Sequence, residues 1–492
     1  MLDAIVREAA ERWGDASCLV APAGWSLSYA ELDRLSDEVA VGLADEGVGQ
    51  GDVVALCLPT SPDHVVAYVA CAKIGAIAAG VNPRLTELER GAVLDRTHPT
   101  LVLGPDLAGH DVDSVLGGSV PGGLRRPGAT PPPLEPDPDR PVALVFTSGT
   151  TGVPKGAVFA GRQLTFITQV DTGGHWGGGG PALGATSLSH LGPTTKLPGS
   201  LMRGGTTYLV ERWRPGDALR MTAEHAMSSL AGIPTQLALM LHHPDFERTD
   251  LSSVKAVVIG GGPASPTLIA EIRERLHAPV AVRYACTEAG TGLGTSFTDP
   301  PGDAEVSVGR VHPGIDLAVR DLDTGADVSP GQVGEVCLRS PAVMTGYWRD
   351  PEASAAAFWP DGFVRTGDLG HLDDQGRLRL VGRSKEMYVR GGYNVYPMEV
   401  EGVLAAHPGV AEVAVVSRPD EVMGELGVAV IRPVDATRPP SLADLRAFAS
   451  RQLAHHKLPE QLLVVHELPL TAMEKVDKRA LQARIDADLV GG

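Results

Sequence analysis

The sequence has little cysteine and a shortage of positive charge, and each shortage excludes a class of protein. Its 492 residues contain only Cys18, Cys57, Cys71, Cys286 and Cys337, with no CxxC pair. This argues against a disulfide framework or a cysteine-rich metal site, so we expect a cytoplasmic protein. The 42 basic and 60 acidic residues give a net charge of −18, which disfavours a general binder of nucleic acids or membrane surfaces.

The chain also lacks a long uninterrupted apolar run. Residues 1–15 mix charged and apolar side chains and contain no signal-peptide core. The longest apolar run, Val65–Val81, is broken by Lys73 and two glycines and is shorter than a membrane span. Ser61 and Pro62 precede it in the positions of an N-cap and a first helical residue, so we predict a buried helix here and no membrane span.

The length exceeds that of one compact domain, and the hydrophobic pattern changes along the chain. Up to about residue 120, helical and strand-like segments alternate, which predicts a layered α/β domain. The last hundred residues predict a smaller α+β unit with strands Glu412–Val416 and Val428–Ile431 and a helix over Leu442–Leu453. The proline- and glycine-rich segment Pro121–Pro141 is predicted to be a connector.

A short apolar strand, Val142–Phe146, leads into a loop of small residues with one lysine, Lys155. Small residues allow backbone N–H groups to surround an anion, and hydroxyls and the ammonium add donors. The pattern differs from the NTPase P-loop because Gly156 follows the lysine. A flexible surface turn is the alternative to a polyphosphate site. The residues predicted to bind phosphate are Thr147, Ser148, Gly149, Thr150, Thr151, Gly152 and Lys155.

This loop resembles the nucleotide-binding signature of the adenylate-forming superfamily, which includes acyl- and aryl-CoA ligases, peptide-synthetase adenylation domains and firefly luciferase. Other segments resemble further signatures of that superfamily in the same order: Tyr284–Glu288, Thr366–Asp368, Gly382–Glu386 and Leu468–Val476. The resemblance covers essentially the whole chain. It implies a large N-terminal domain, residues 1–384, of several α/β subdomains, and a small mobile α+β domain, residues 385–492.

The resemblance also implies roles for individual side chains. Tyr284 would stack near adenine, Thr287 would hydrogen-bond the α-phosphate, and Glu288 would hold Mg²⁺. Asp368 would accept the ribose hydroxyls, since a carboxylate is an acceptor that can take two donors. Arg383 would contact ribose and phosphate. For Glu288 alone, an acid at the start of a helix is the structural alternative.

Glycine-rich segments complete the expected nucleotide and CoA sites. By resemblance, Gly260, Gly261 and Gly262 wall the adenine and acyl sites, where only small residues let the backbone pack flat against a ring. Gly391 and Gly392 would line a narrow pantetheine tunnel.

The resemblance places a catalytic lysine at Lys475 and a domain hinge at Lys385. Lys475 would bridge the substrate carboxylate and the α-phosphate. Two positions depart from the family pattern: Glu474 and Ala285 each stand where glycine is usual. The alternative for Lys475 is a solvated side chain near the end of the chain.

The segment from Ser187 to Arg203 resembles the helix that lines the acyl pocket. We place His190, Thr194, Lys196, Gly260 and Cys286 in that pocket. Because Thr194 and Lys196 stand where fatty-acid enzymes are usually apolar, we hypothesise an acid with a polar or charged far end. The alternative is that Lys196 faces solvent.

The expected activity is an ATP- and Mg²⁺-dependent, AMP-forming carboxylic acid–CoA ligase. The carboxylate would attack the α-phosphate to form an acyl-adenylate, and the CoA thiol would then displace AMP. Transfer to a carrier protein is the main alternative, and a homodimer is compatible with the resemblance. An amino-acid substrate is disfavoured because Ser187–Leu201 contains no acidic residue. An oxygenase or a non-catalytic nucleotide-binding regulator is less favoured.

Overall fold

The computed structural model describes residues 1–22, 24–104, 123–147, 154–471 and 475–490. In these residues five β-sheets combine with helices, so the α/β class predicted from the sequence is confirmed. Within these ranges, no helix combines the length and the apolar character needed to cross a bilayer. The cysteines are all unpaired thiols.

The helices, numbered in chain order, have recognisable ends. Seven of them carry proline in the first turn, where its fixed φ suits a helix and its missing N–H is not needed. Their bounds are α1 Leu2–Trp13, α2 Tyr29–Asp45, α3 Pro62–Ile74, α4 Glu87–Thr97, α5 Gly161–Thr172, α6 Leu191–Arg203, α7 Pro215–Glu224, α8 Pro234–Leu241, α9 Pro266–Leu276, α10 Pro301–Val306, α11 Pro351–Ala356, α12 Pro397–Leu404, α13 Leu442–Ala449 and α14 Lys478–Val490.

The strands are mostly short. They are β1 Ser17–Val20, β2 Ser26–Ser28, β3 Val53–Leu56, β4 Ile77–Gly80, β5 Leu101–Leu103, β6 Pro141–Thr147, β7 Lys155–Ala160, β8 Ala182–Gly184, β9 Thr207–Leu209, β10 Ser229–Gly232, β11 Ala256–Gly260, β12 Val280–Tyr284, β13 Leu293–Gly294, β14 Arg310–Val311, β15 Asp316–Arg320, β16 Gly334–Arg339, β17 Val364–Leu372, β18 Leu378–Arg383, β19 Tyr388–Arg390, β20 Tyr393–Val395, β21 Val410–Asp420, β22 Gly424–Pro433 and β23 Gln461–Val464.

Four sheets precede residue 385. The first has the order β2-β1-β9-β8, and the second the order β5-β3-β4-β6-β7. In the second sheet only β7 runs antiparallel to its neighbour, so β6 and β7 form a hairpin that closes the sheet edge. The third sheet, β10-β11-β12-β13-β14, starts with three parallel strands, and the fourth, β15-β16-β17-β18, is antiparallel.

The C-terminal strands form a sheet of their own, in the order β20-β19-β22-β21 with β23 beside β22. Each face of this sheet has a separate apolar core. Val400 of α12 and Leu445 of α13 pack into one core, whereas Leu481 and Ile485 of α14 pack into the other. This is the α+β arrangement predicted for the last hundred residues.

Most predicted elements occupy their predicted positions, with differences at the ends. The strands predicted over Glu412–Val416 and Val428–Ile431 lie within the longer β21 and β22, whereas α13 stops at Ala449, four residues before the predicted end at Leu453. Ser61 is the N-cap residue of α3, but its hydroxyl makes no capping hydrogen bond and is buried without a partner. The fixed backbone geometry of Pro62 therefore marks this helix start, rather than a serine cap.

The apolar helix α3 contains a fully buried lysine. Lys73 is 1% exposed at its side chain, and its ammonium lies 2.6 Å from carboxylate oxygens of both Asp33 and Asp37 of α2. It also donates to the main-chain oxygen of Asp33. A charge can be kept in a core only when it is paired and hydrogen-bonded, so this triad links α2 to α3.

We expect Lys73→Ala to destabilise the protein by about 3–5 kcal/mol, because it leaves two partly buried carboxylates without their shared cation. Thermal unfolding followed by fluorescence should show a melting temperature lower by about 5 °C or more. Lys255→Ala is the matched control, because the Lys255 ammonium is exposed and donates only to the Ser252 carbonyl. A Lys73→Ala protein that melts with the control would contradict the prediction.

Candidate functional site

The two ends of the predicted phosphate loop meet at the open end of the β6–β7 hairpin. Thr147 and Lys155 are register partners across these strands. Lys155 points its ammonium at the ring of Tyr347, 5.1 Å from the ring centre, in a cation–π contact. The predicted phosphate ligands Ser148, Gly149, Thr150, Thr151 and Gly152 lie outside the described residues.

Glu288 lies beside the lysine end of this loop. The Tyr347 hydroxyl donates to a Glu288 carboxylate oxygen at 2.6 Å, and the N–H of Met344 donates to the Glu288 carbonyl at 2.9 Å. Glu288 stands in a turn after β12, so the alternative of an acid at a helix start is wrong. Tyr347 was not predicted as a site residue, because its segment looked structural.

The residues present at this point fit a magnesium ion bound together with phosphates. Mg²⁺ takes oxygen ligands and is usually held by one or two carboxylates, with phosphate oxygens and waters completing the shell. Glu288 supplies such a carboxylate, and Tyr347 orients it. In the described part of the chain there is no group of three His, Cys, Asp or Glu side chains that would form an all-protein metal site.

The second predicted carboxylate, Asp368, is bound on both oxygens. The Tyr284 hydroxyl donates to Oδ2 at 2.7 Å, and Arg383 Nε donates to Oδ1 at 3.0 Å. Burial, reinforced by the negative charge of Asp368, raises the pKa of Tyr284 well above its ordinary value. Three predicted nucleotide residues from β12, β17 and β18 therefore form one hydrogen-bonded unit.

Lys475 approaches this unit from the C-terminal part of the chain. Two hydrogen bonds to Thr471 hold its backbone: the Thr471 N–H donates to the Lys475 carbonyl at 2.7 Å, and the Lys475 N–H donates to the Thr471 hydroxyl at 3.3 Å. Burial is the main cause of a lowered Lys475 pKa. Arg383 lowers that pKa further, whereas Asp368 opposes the change. Glu474 lies outside the described residues.

His190 lies at the N-terminal end of α6 and faces the same region. Burial, followed by the charges of Lys475 and Arg84, lowers the pKa of His190 to about 4. The imidazole is therefore neutral near pH 7 and can offer one donor and one acceptor. His190 therefore lies within electrostatic reach of Lys475, and its position beside an adenylate stays a prediction.

The glycines predicted to wall the nucleotide lie where β11 ends. Gly260 is the register partner of Arg283 on β12, and Gly261 has a φ of +78°, which a residue with a side chain rarely adopts. A Cβ on Gly261 would lie 3.2 Å from Ile233, and one on Gly262 would lie 3.5 Å from Pro234. The turn is thus closely packed on one side.

Two further predicted residues, Cys286 and Thr287, directly precede Glu288 in the chain. Burial is the main cause that raises the pKa of Cys286 well above its ordinary value, followed by Glu288 and Asp368, so this cysteine stays a neutral thiol. Thr287 lies in the turn that follows β12, between Cys286 and Glu288 in the chain. Ala285 joins β12 to this turn without disturbing the strand.

The predicted tunnel glycines and the hinge residue lie outside the Asp368 unit. Gly391 and Gly392 form the exposed turn between β19 and β20, with φ of +54° and +84°, and a Cβ on Gly391 would lie 2.9 Å from Met423. Lys385 lies in the turn between β18 and β19.

The predicted acyl-pocket residues on α6 separate into two kinds. The Thr194 hydroxyl donates to the Leu188 carbonyl at 2.8 Å, which is a structural contact. Lys196 is 44% exposed, and its ammonium lies 3.8 Å from Asp171 of α5. Asp171 and Arg283, which both interact with this region, were not found from the sequence, since neither belongs to a motif.

The chain is similar to known proteins over most of its length. The family described as AMP-binding enzyme matches residues 6–348, and the AMP-binding enzyme C-terminal domain matches residues 399–475. Indoleacetate–CoA ligase of Aromatoleum aromaticum is 34% identical over 485 residues, covering 93% of this chain and 94% of the relative. The fatty acid–[acyl-carrier-protein] ligase ScoC of Streptomyces coeruleorubidus is 32% identical, covering 94% and 93%.

A solved structure agrees with these matches. The ATP-bound crystal structure of MatB from Rhodopseudomonas palustris superposes with a TM-score of 0.85 at 27% identity, covering 98% of this chain and 99% of that one. The predicted fold, with its large N-terminal part and small C-terminal part, is confirmed. The chain belongs to the AMP-binding enzyme family, which confirms the adenylate-forming superfamily indicated by its motifs.

Proposed function

We propose that this protein is an ATP-dependent, AMP-forming ligase that joins a carboxylic acid to CoA. The observation that carries the proposal is the hydrogen-bonded unit of Tyr284, Asp368 and Arg383, with Lys475 of the C-terminal part near enough to interact electrostatically with Arg383 and Asp368. A lysine buried beside a second cation is unfavourable unless it meets negative charge, and a carboxylate and an α-phosphate provide it.

The first half-reaction requires alignment and charge neutralisation. A carboxylate has a poor leaving group, so its oxygen attacks the α-phosphorus of ATP, the bond to the β-phosphate breaks, and pyrophosphate leaves. Lys475 would bridge the attacking carboxylate and the α-phosphate, and Thr287 would donate to the latter. Lys155 and the loop that it closes would hold the departing pyrophosphate.

The nucleoside would be held by the Asp368 unit. Tyr284 and Arg383 each donate to one carboxylate oxygen, and each oxygen has a second lone pair for a ribose hydroxyl. Glu288 would hold Mg²⁺, which would neutralise phosphate charge when bound. The neutral His190 would lie beside the adenylate.

The second half-reaction needs a different set of groups at the adenylate. We propose residues 1–384 and 385–492 as the two domains, with rotation at Lys385 that withdraws Lys475 and brings in Gly391 and Gly392. The CoA thiol would attack the acyl carbon, forming the thioester and releasing AMP. Exposure of the two glycines while Lys475 is half-buried supports two alternating arrangements.

A carrier-protein thiol is the second candidate acceptor, because one relative is named as a ligase of fatty acids and acyl-carrier protein. The chemistry of acyl transfer is the same for both thiols. Assaying AMP release with CoA and with a phosphopantetheinylated carrier protein, over fatty, aryl and dicarboxylic acids, tests the proposal. ATP that stays intact with every acid, or is split to ADP, would exclude it.

We expect Lys475→Ala to lower acid-dependent pyrophosphate release by about 100-fold or more, because one transition-state donor is lost. Thioester formation from supplied acyl-adenylate should persist, since Lys475 is withdrawn for that step. Lys457→Ala is the control in the same domain, because Lys457 binds only Glu399 in the described contacts. Equal loss of both half-reactions in Lys475→Ala would contradict the two-step assignment.

We expect Lys385→Pro to impair thioester formation and to spare adenylation, which is the reverse of the effect expected for Lys475→Ala. Proline fixes φ, so rotation at this position should be blocked. Pyrophosphate release in a single turnover should continue while thioester formation falls, and Lys385→Ala should retain both. Rapid-quench measurement of each step checks this, and normal thioester formation by the proline variant would move the hinge elsewhere.

We expect Glu288→Gln to raise the Mg²⁺ concentration for half-maximal pyrophosphate release by roughly tenfold or more, since a metal-binding carboxylate is replaced by a neutral amide. Glu305→Gln serves as the control, because Glu305 pairs with Arg273. An unchanged Mg²⁺ requirement in Glu288→Gln would remove Glu288 from the metal site.

A further inference from the structure

A second group of charged side chains lies along α5 and α6, away from the phosphates. We call it the distal cluster: Asp171, Lys196, Arg203, Arg283 and His312. Lys196 and Arg203 lie on α6, and Asp171 lies on the adjacent helix α5. Arg283 belongs to β12, and His312 directly follows β14 of the same sheet.

Asp171 is shared by two cations. Arg203 Nη2 lies 3.1 Å from its carboxylate and Lys196 Nζ lies 3.8 Å from it. Arg203 also donates to the Asp171 carbonyl. Because Arg203 holds the carboxylate more closely, Lys196 is the less satisfied of the two cations.

Arg283 is bound only by neutral acceptors. Its Nη1 donates to the carbonyls of Val282, at 3.2 Å, and of Thr295. Among the described residues it forms no ion pair, and burial lowers its pKa, opposed by the more distant charges of Asp171 and Asp299. Main-chain carbonyls orient a guanidinium without cancelling its charge, so this arginine can still bind an anion.

His312 interacts electrostatically with both Arg283 and Lys196. Burial, followed by the charges of Arg283 and Lys196, lowers its pKa, which favours the neutral imidazole near pH 7. Phe166 of α5 packs close to Gly314, 3.0 Å from where its Cβ would be, so α5 lies against the loop that carries His312.

The distal cluster lies further along α6 than the end of this helix where the acid would react. Lys196 is six residues beyond His190, and a helical rise of 1.5 Å per residue places it about 9 Å further along α6. Gly192 is four residues before Lys196 on the same face, and the place of its missing Cβ is open space. Arg283 adjoins Tyr284, which binds Asp368.

We infer that Lys196 and Arg283 bind an anionic group at the far end of the acid substrate, so that the preferred acid is a dicarboxylate activated at one end. This rests on the proposed ligase function and names its substrate class. The three cations Lys196, Arg203 and Arg283 outnumber the two carboxylates that act on them, those of Asp171 and Asp299. The surplus positive charge selects an anion over a neutral or ammonium group.

The alternative hypothesis for the same cluster is an amino-acid substrate whose ammonium binds Asp171. That carboxylate is already paired with Arg203 and Lys196. A substrate ammonium would have to displace one of them and remain beside the other, and like charges at that distance repel. A guanidinium, in contrast, can bind a carboxylate through two parallel hydrogen bonds.

The test measures pyrophosphate release with linear dicarboxylates of graded length, each paired with its monoamide, which keeps the length and removes the far charge. The wild-type protein should favour the best dicarboxylate over its monoamide by about tenfold or more in kcat/KM, which is 1.4 kcal/mol. Arg283→Gln keeps a donor and loses the charge, and Lys196→Met loses the second cation. Either change should lower the dicarboxylate-to-monoamide ratio about tenfold.

Lys255→Met is the matched control and should leave the ratio unchanged, because Lys255 precedes β11 and is exposed. A wild-type enzyme that turns over monoamides or amino acids as well as dicarboxylates would overturn the inference and leave the ligase function standing. A ratio unchanged in both Arg283→Gln and Lys196→Met would also overturn it. The absence of turnover with every acid would instead exclude the ligase function.

Discussion

The carboxylate of Asp368 accepts one hydrogen bond from Tyr284 of β12 and one from Arg383 of β18, and the position of the site depends on these two bonds. Asp368 itself lies on β17 and is nearly buried. A buried charge that loses a partner costs several kcal/mol, so the third and fourth sheets are held together at the point where a nucleoside would bind. Lys475 interacts electrostatically with this carboxylate and with Arg383. Substrate alignment therefore starts from a rigid unit made of three strands.

The charges collected at the site are opposite in sign to the net charge of the chain. The protein carries a net charge of −18, yet the site collects Lys155, Arg383 and Lys475 around the places assigned to phosphate and carboxylate. A few local cations are enough for a polyanion, because burial strengthens their field. Burial also has a cost, seen in the lowered pKa values of Lys475 and His190. An anionic substrate would offset that cost, which links the electrostatics of the free protein to its proposed reaction.

The C-terminal part contributes one side chain to this site while keeping a sheet and two cores of its own. Because both of its cores are built from its own residues, it can keep its fold when its orientation changes, as the proposed rotation at Lys385 requires. Lys475 is held by two hydrogen bonds to Thr471, so it moves with that part as a unit. The distal cluster belongs to the larger part, so acid selection and activation would depend on different regions.

Local chemistry in the sequence determined the elements and the motifs. Proline marks the first turn of the helices at Pro62 and Pro397, and an apolar run forms the strand that ends at Thr147. Asp368 and Lys475 were indicated by their motifs. These signals act over a few residues, so periodicity and turn chemistry reveal them. Only the tertiary structure decided partners: Tyr347 for Glu288, Asp33 and Asp37 for Lys73, and Asp171 for Lys196. Such pairs join residues that are far apart in sequence or lie on different elements, and their energies depend on burial and on distances of a few ångströms. A linear pattern contains neither quantity, which is why it does not reveal Asp171 or Arg283 as members of the distal cluster.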